Sequence, residues 1–207
     1  GNFNVVQNVE PAIINGVRPD LRLLQVDRDL PGFYKIDVRS VVGLTVDLVG
    51  FGGTGNEVSG GFTFPGGEPT VRRRATNRIE GYEDISFASS PPFEPYWTTM
   101  FYNLSAPGDP TRTANEGGVY FGDSGGGFFH NFGDGIHLVA TTSAIDGVDG
   151  TDNYGGYGAT GYGTYLGSPE SQAFLRQYVP QAVVPEPFSL SVLAVGTLAL
   201  LRRRRQS

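Results

Sequence analysis

Along most of the chain, apolar positions come in short runs broken by glycine, proline and acidic residues, a pattern that predicts strands and turns. Runs at 4–14, 21–26, 41–51, 79–87, 97–104, 126–132 and 137–144 each read as a strand, and Pro19-Asp20 forms a turn before the second. Gly52-Gly53-Thr54-Gly55 reads as a loop by composition, and 146–163 as a glycine-rich loop carrying one short strand. Helical spacing occurs once in the body. Ser168 can cap, Pro169 suits the first turn, Glu170 lies in it, and Phe174, Leu175 and Tyr178 share a face. The expectation is an all-β body closed by one short helix.

The end of the chain breaks this pattern. Val183-Val184-Pro185-Glu186-Pro187 reads as a stiff, extended linker, because proline fixes φ and restricts the residue before it. An uncharged apolar run, Phe188 to Leu201, follows, and then Arg202-Arg203-Arg204-Arg205. As a helix the run spans about 21 Å, short of the roughly 30 Å core of a bilayer. The arginines would stay on the cytoplasmic side, and their long stems can extend the span.

Composition narrows the function classes. The chain has 207 residues with 31 glycines and 14 prolines, yet 39% hydrophobic residues, which argues against disorder and suits many short strands. The net charge is −6; since Arg202 to Arg205 carry four positive charges and Glu186 one negative, the residues before Pro185 carry −9. An acidic body with a single lysine, Lys35, offers nucleic acid no electrostatic footprint. Arg72-Arg73-Arg74, with Arg78 nearby, reads as a solvated strand edge or loop. There is no cysteine, so a disulfide scaffold, a thiolate nucleophile and a cysteine-ligated zinc site are excluded.

The sharpest chemical motif is Gly122-Asp123-Ser124-Gly125-Gly126-Gly127. Acyl transfer needs a serine on a tight turn, with two backbone N–H groups aimed at the developing oxyanion and one of them on a residue free to take an unusual φ. Gly122 and Ser124 can supply those donors. The motif resembles the active-site segment of trypsin-like, chymotrypsin-fold serine proteases, although the family has proline where this chain has Gly127. The resemblance implies Ser124 as nucleophile, the N–H groups of Gly122 and Ser124 as oxyanion hole, and Asp123 as the loop's anchor, usually to a freed amino terminus. Three further stretches match in order. Asp20-Leu21-Arg22-Leu23-Leu24-Gln25-Val26 is similar to the strand whose aspartate, buried beside the imidazole, orients the catalytic histidine. Val49-Gly50-Phe51-Gly52 is similar to the strand opening the second barrel, and Leu138-Val139-Ala140-Thr141-Thr142-Ser143 to the strand lining the substrate groove. On the same resemblance Gly118, Ser143, Ala144 and Ile145 contact substrate, with Gly118 as an open apolar base to the main specificity pocket.

The family order is His, Asp, Ser, but no histidine precedes Asp20; His130 and His137 follow the serine and read as strand or hairpin residues. A chain that starts at Gly1, without methionine, is expected to have lost an upstream segment carrying the base. The alternative is a catalytically inactive, protease-fold binding or cell-surface protein. Gly122-Asp123-Ser124-Gly125-Gly126 also satisfies the nucleophile elbow of α/β-hydrolases, with Asp134 and His137 as partners, but that elbow must run into a helix and here a hairpin pattern follows.

The expected fold is therefore all-β, a chymotrypsin-like double β-barrel: 1–37 the end of an incomplete first barrel, 38–181 the second barrel with its closing helix, and 182–207 the tail. Pro185-Glu186-Pro187, the apolar run and the arginine cluster resemble the PEP-CTERM sorting signal of Gram-negative bacteria. That resemblance implies export, a transient inner-membrane anchor at 188–201, and recognition by an exosortase-type sorting enzyme. The expected substrate is a peptide or protein, and neither a metal nor an organic cofactor is implied.

Overall fold

The computed structural model describes residues 3–66, 71–86 and 96–184, the side chains of 64–66 excepted. The tail at 185–207 lies outside the described residues, so the expected apolar helix does too. Among the described residues no helix is long and apolar enough to cross a membrane.

The body is mostly β, with open antiparallel sheets and one short α-helix. The main sheet is built from β3 (Lys35–Ile36), β4 (Thr45–Gly50), β7 (Arg73–Arg78), β8 (Gly81–Ile85), β9 (Trp97–Asn103), β10 (Gly127–Asn131), β11 (Ile136–Asp146) and β12 (Thr160–Tyr165). Its order is β7-β4-β10-β11-β12-β9-β8, with every neighbour antiparallel and β3 added parallel to β11. Strand alternation explains which face is inside. In β4, Val46 and Leu48 point to the core while Thr45 is exposed, as the two-residue period requires. Met100 and Tyr102 from β9, Phe128 from β10 and Val139 from β11 meet them there, all almost fully buried. Strand β7 approaches β9 across this core, so the sheet is curled, but no hydrogen-bonded pairing closes it into a barrel among the described residues.

Two smaller sheets flank it: β1 (Val5–Val9) with β2 (Leu23–Val26), and the hairpin β5 (Thr54–Val58) with β6 (Gly61–Gly66). Within residues 3–37, β1 and β2 form a two-stranded ribbon and β3 joins the main sheet. The arginine run is an edge strand, β7, with Arg74 paired to Asp47 on β4. It is the strand-edge alternative of the two readings, while glycine concealed β5, whose first residues read as a loop. Helix α1 (Pro169–Tyr178) starts where the capping pattern predicts, with Ser168 Oγ accepting the Ser171 N–H at 3.2 Å. Phe174 and Leu175 are buried, and Leu175 packs with Ile36, Val38, Leu166 and Val183 in a second apolar cluster; Tyr178 stays exposed.

Candidate active site

Two successive turns build the loop that carries Ser124. Asp123 N–H donates to Tyr120 O at 3.0 Å, and Gly126 N–H to Asp123 O at 2.8 Å. The third residue of each turn is a glycine at positive φ, Gly122 at 96° and Gly125 at 77°, where a side chain would be strained. The second turn is stapled to β11, since Gly125 N–H donates to Thr142 O at 3.0 Å and Thr142 N–H to Gly126 O at 2.8 Å. Ser124, exposed at the apex, lines the same cavity as Ser143. The N–H groups of Gly122 and Ser124 have no acceptor among the described residues, and both residues are exposed.

Asp123 holds the loop from behind. Its Oδ1 accepts the Gly52 N–H at 2.6 Å and its Oδ2 the Tyr120 N–H at 2.9 Å. A Cβ on Gly50 or Gly52 would lie 1.9 Å or 2.6 Å from this carboxyl group, so Gly50-Phe51-Gly52 is the strand end that lets it approach. Backbone donors from two loops therefore occupy the carboxylate that the resemblance assigns to a freed amino terminus. Arg73 Nη1 donates to Gly52 O at 2.9 Å and fixes the outer side of the same strand end.

A cavity of about 890 Å³ opens in front of the loop, lined by Asp20, Trp97, Ser124, Gly125, Thr142 and Ser143 among others. The structure brings Asp20, Ser124 and Ser143 to one place. Ser143 sits at a β-bulge between the Thr142 and Ala144 pairings with β12, and its hydroxyl donates to Asp20 Oδ2 at 2.7 Å. A bulge re-aims a side chain in this way. Asp20 is further held by its carbonyl, which accepts from the Thr164 hydroxyl at 3.2 Å. Its carboxylate is exposed, in contrast to the burial expected beside an imidazole, because no described residue fills the space in front of it.

The other expected contacts divide. Ala144 and Ile145 pair with β12 on one edge, while β10 ends opposite Thr141, so their second edge faces no strand among the described residues. Gly118 lines a separate cavity of about 610 Å³ behind the loop, with Leu48, Gly50, Arg73, Glu116 and Asp123, not the cavity of Ser124. It is not an open base. A Cβ there would lie 3.1 Å from Leu104 and 3.2 Å from the Tyr102 hydroxyl. Burial pushes the Tyr102 phenol well above its usual range, so it stays neutral while accepting the Val119 N–H at 2.7 Å.

Neither histidine reaches Ser124. His130 Nδ1 lies 2.7 Å from Thr45 O. His137, buried at 2% exposure, has Nδ1 2.8 Å from Asp37 Oδ2, and Asp37 also takes two hydrogen bonds from Arg39 Nε and one from its Nη2. His137 is six residues from Ser143 along β11, about 20 Å at strand rise. Asp134 lies 3.7 Å from its other nitrogen, but β10, not a helix, follows Ser124, so the elbow geometry is absent. Sequence reading missed the Asp37–His137 pair; an aspartate inside the apolar run Ile36-Asp37-Val38 was its only local signal. No cluster of His, Cys, Asp and Glu among the described residues could hold a metal ion.

Comparison of the chain with protein families, curated proteins and solved structures gave no match.

Proposed function

We propose that the chain is a serine hydrolase of peptide bonds, with Ser124 as nucleophile, Asp20 orienting a histidine that the described residues do not supply, and the N–H groups of Gly122 and Ser124 as oxyanion hole. The observation that carries this reading is the Ser143–Asp20 hydrogen bond inside the cavity that Ser124 lines. In the reaction, Ser124 Oγ attacks the scissile carbonyl carbon and passes its proton to the imidazole, whose charge Asp20 stabilises. The imidazolium protonates the leaving amine, and water then repeats the steps on the acyl-enzyme. Ala144 and Ile145 offer the unpaired strand edge along which an extended peptide adds a strand.

The experiment is chemical rescue. Free imidazole added to the full chain should give peptide hydrolysis that Ser124→Ala and Asp20→Ala each abolish. Without it, the chain should turn over peptides far more slowly than an intact protease, since loss of one triad member leaves roughly 10³–10⁴-fold catalysis over water.

A second reading, a protease-fold binding or surface protein without turnover, draws on the position of His130 and His137 away from the cavity. Peptide binding without Ser124-dependent hydrolysis in imidazole would favour it. On either reading the tail is proposed to direct export, with 188–201 as a transient inner-membrane anchor and an exosortase-type enzyme as partner. The support is the order of proline-rich linker, apolar run and arginine cluster.

A further inference from the structure

We infer that the cavity selects peptides with an acidic side chain near the scissile bond, and that Arg18 is the residue that selects them. The inference rests on the reading of Ser124 as nucleophile and adds its substrate class.

Four ionisable residues line the cavity: Glu10, Arg18, Asp20 and Arg22. Arg22 is paired with Glu10. Asp20 accepts the Ser143 hydroxyl and, in the proposed reaction, faces the imidazole. Arg18 is the charge left over. It is half-buried, its side chain makes no ion pair or hydrogen bond among the described residues, and Asp20 only two residues on does not engage it.

The backbone gives Arg18 a fixed station. Its N–H donates to Tyr96 O at 3.1 Å, Val17 bridges to Tyr96, and the following Pro19 is buried. Arg18 thus lines the cavity from an anchored segment, two residues before Asp20. A planar, permanently charged fork matches a carboxylate bidentately, and its hydrogen bonds are charge-assisted.

Charge also argues for a dedicated cation. The body carries −9 before Pro185, so an acidic peptide approaches against the overall field. The four ionisable residues of the cavity sum to zero where the body as a whole is negative. Among the described residues Arg18 is the cation left to pair with a peptide carboxylate there, where screening by salt is weaker. The cavity volume of about 890 Å³ lies in the range that holds a small ligand or a few peptide residues.

The test uses the full chain and labelled, end-blocked hexapeptides that differ only by Glu or Gln at one position, with that position moved along the peptide. Dissociation constants are read by fluorescence anisotropy for wild type, Arg18→Gln and Arg18→Lys. In one register the Glu peptide should bind about tenfold tighter than its Gln twin. Arg18→Gln should bring the pair within about twofold, and Arg18→Lys should keep part of the preference, since a point charge replaces the fork. If Glu and Gln peptides bind alike in every register, or the preference survives Arg18→Gln, the inference is overturned. A peptide boronic acid that displaces the bound peptides and forms a tetrahedral adduct on Ser124 would then leave the nucleophile reading standing. Absence of both peptide binding and adduct would overturn the nucleophile reading and this inference together.

Discussion

Ser143 Oγ donates to Asp20 Oδ2 at 2.7 Å, a contact between residues 123 positions apart in the chain. It joins the segment ahead of β2 to the bulge in β11, on the side to which the Ser124 loop is stapled. The hydroxyl holds one carboxylate oxygen, and the other accepts no hydrogen bond among the described residues. Replacing Ser143 by alanine removes one hydrogen bond worth about 1 kcal/mol, so imidazole-dependent turnover should fall about fivefold. The melting temperature should move little, because the contact is exposed. An unchanged rate would mean that Ser143 does not position Asp20.

The Asp123 cradle predicts a sharp steric boundary. Gly52→Ala would place a Cβ 2.6 Å from the Asp123 carboxylate and should destabilise the protein by about 1–3 kcal/mol. Gly32→Ala is the control, since a Cβ there meets nothing within 4 Å. Asp123→Asn sets an NH₂ group against one of two N–H donors and should impair oxyanion binding. Thermal unfolding of the three variants, with boronate affinity for Asp123→Asn, checks this.

Burial alone would raise the Asp37 carboxyl, but hydrogen bonds from Arg39 and His137 outweigh it and hold it below its ordinary value. A depressed folded value means that this group's contribution to stability is complete above the unfolded carboxylate range, near pH 4. It is lost as pH falls further, through the lower folded value. Asp37→Asn should therefore flatten the acid side of the stability curve. At neutral pH it should cost about 3 kcal/mol, because His137 and Arg39 lose a buried anionic partner. Urea denaturation at a series of pH values reads both effects.

Removal of residues 185–207 should release protein from membranes and leave the melting temperature of the body unchanged. If the apolar run instead packed into the body, truncation would lose about 1.5–3 kcal/mol per fully buried side chain, and the melting temperature would fall.

What the sequence made legible was local. The alternation in β4 and β9 and the Ser168-Pro169 cap are written in neighbouring residues, and each marks its element to within a few positions. Strand β5 was hidden because Gly and Asn carry little strand propensity and it owes its form to its partner β6. The arginine run left strand edge and loop both open until pairing with β4 decided for the edge. The loop of Ser124 could be read because both of its turns demand glycine at fixed offsets. Asp37 and His137, 100 positions apart, could not be paired from spacing, nor could the place of Gly118 behind the loop. Both depend on which face of the curled sheet each residue meets.

The reactivity of Ser124 is the most direct test of the proposed site. The full chain is treated with a tagged fluorophosphonate, with and without free imidazole, and the modified residue is located by peptide mass spectrometry. One adduct is expected, on Ser124, formed faster with imidazole and slowed in Asp20→Asn. Labelling no faster at Ser124 than at other exposed serines, or a rate indifferent to imidazole and to Asp20→Asn, would contradict the assignment of this cavity as a serine hydrolase site.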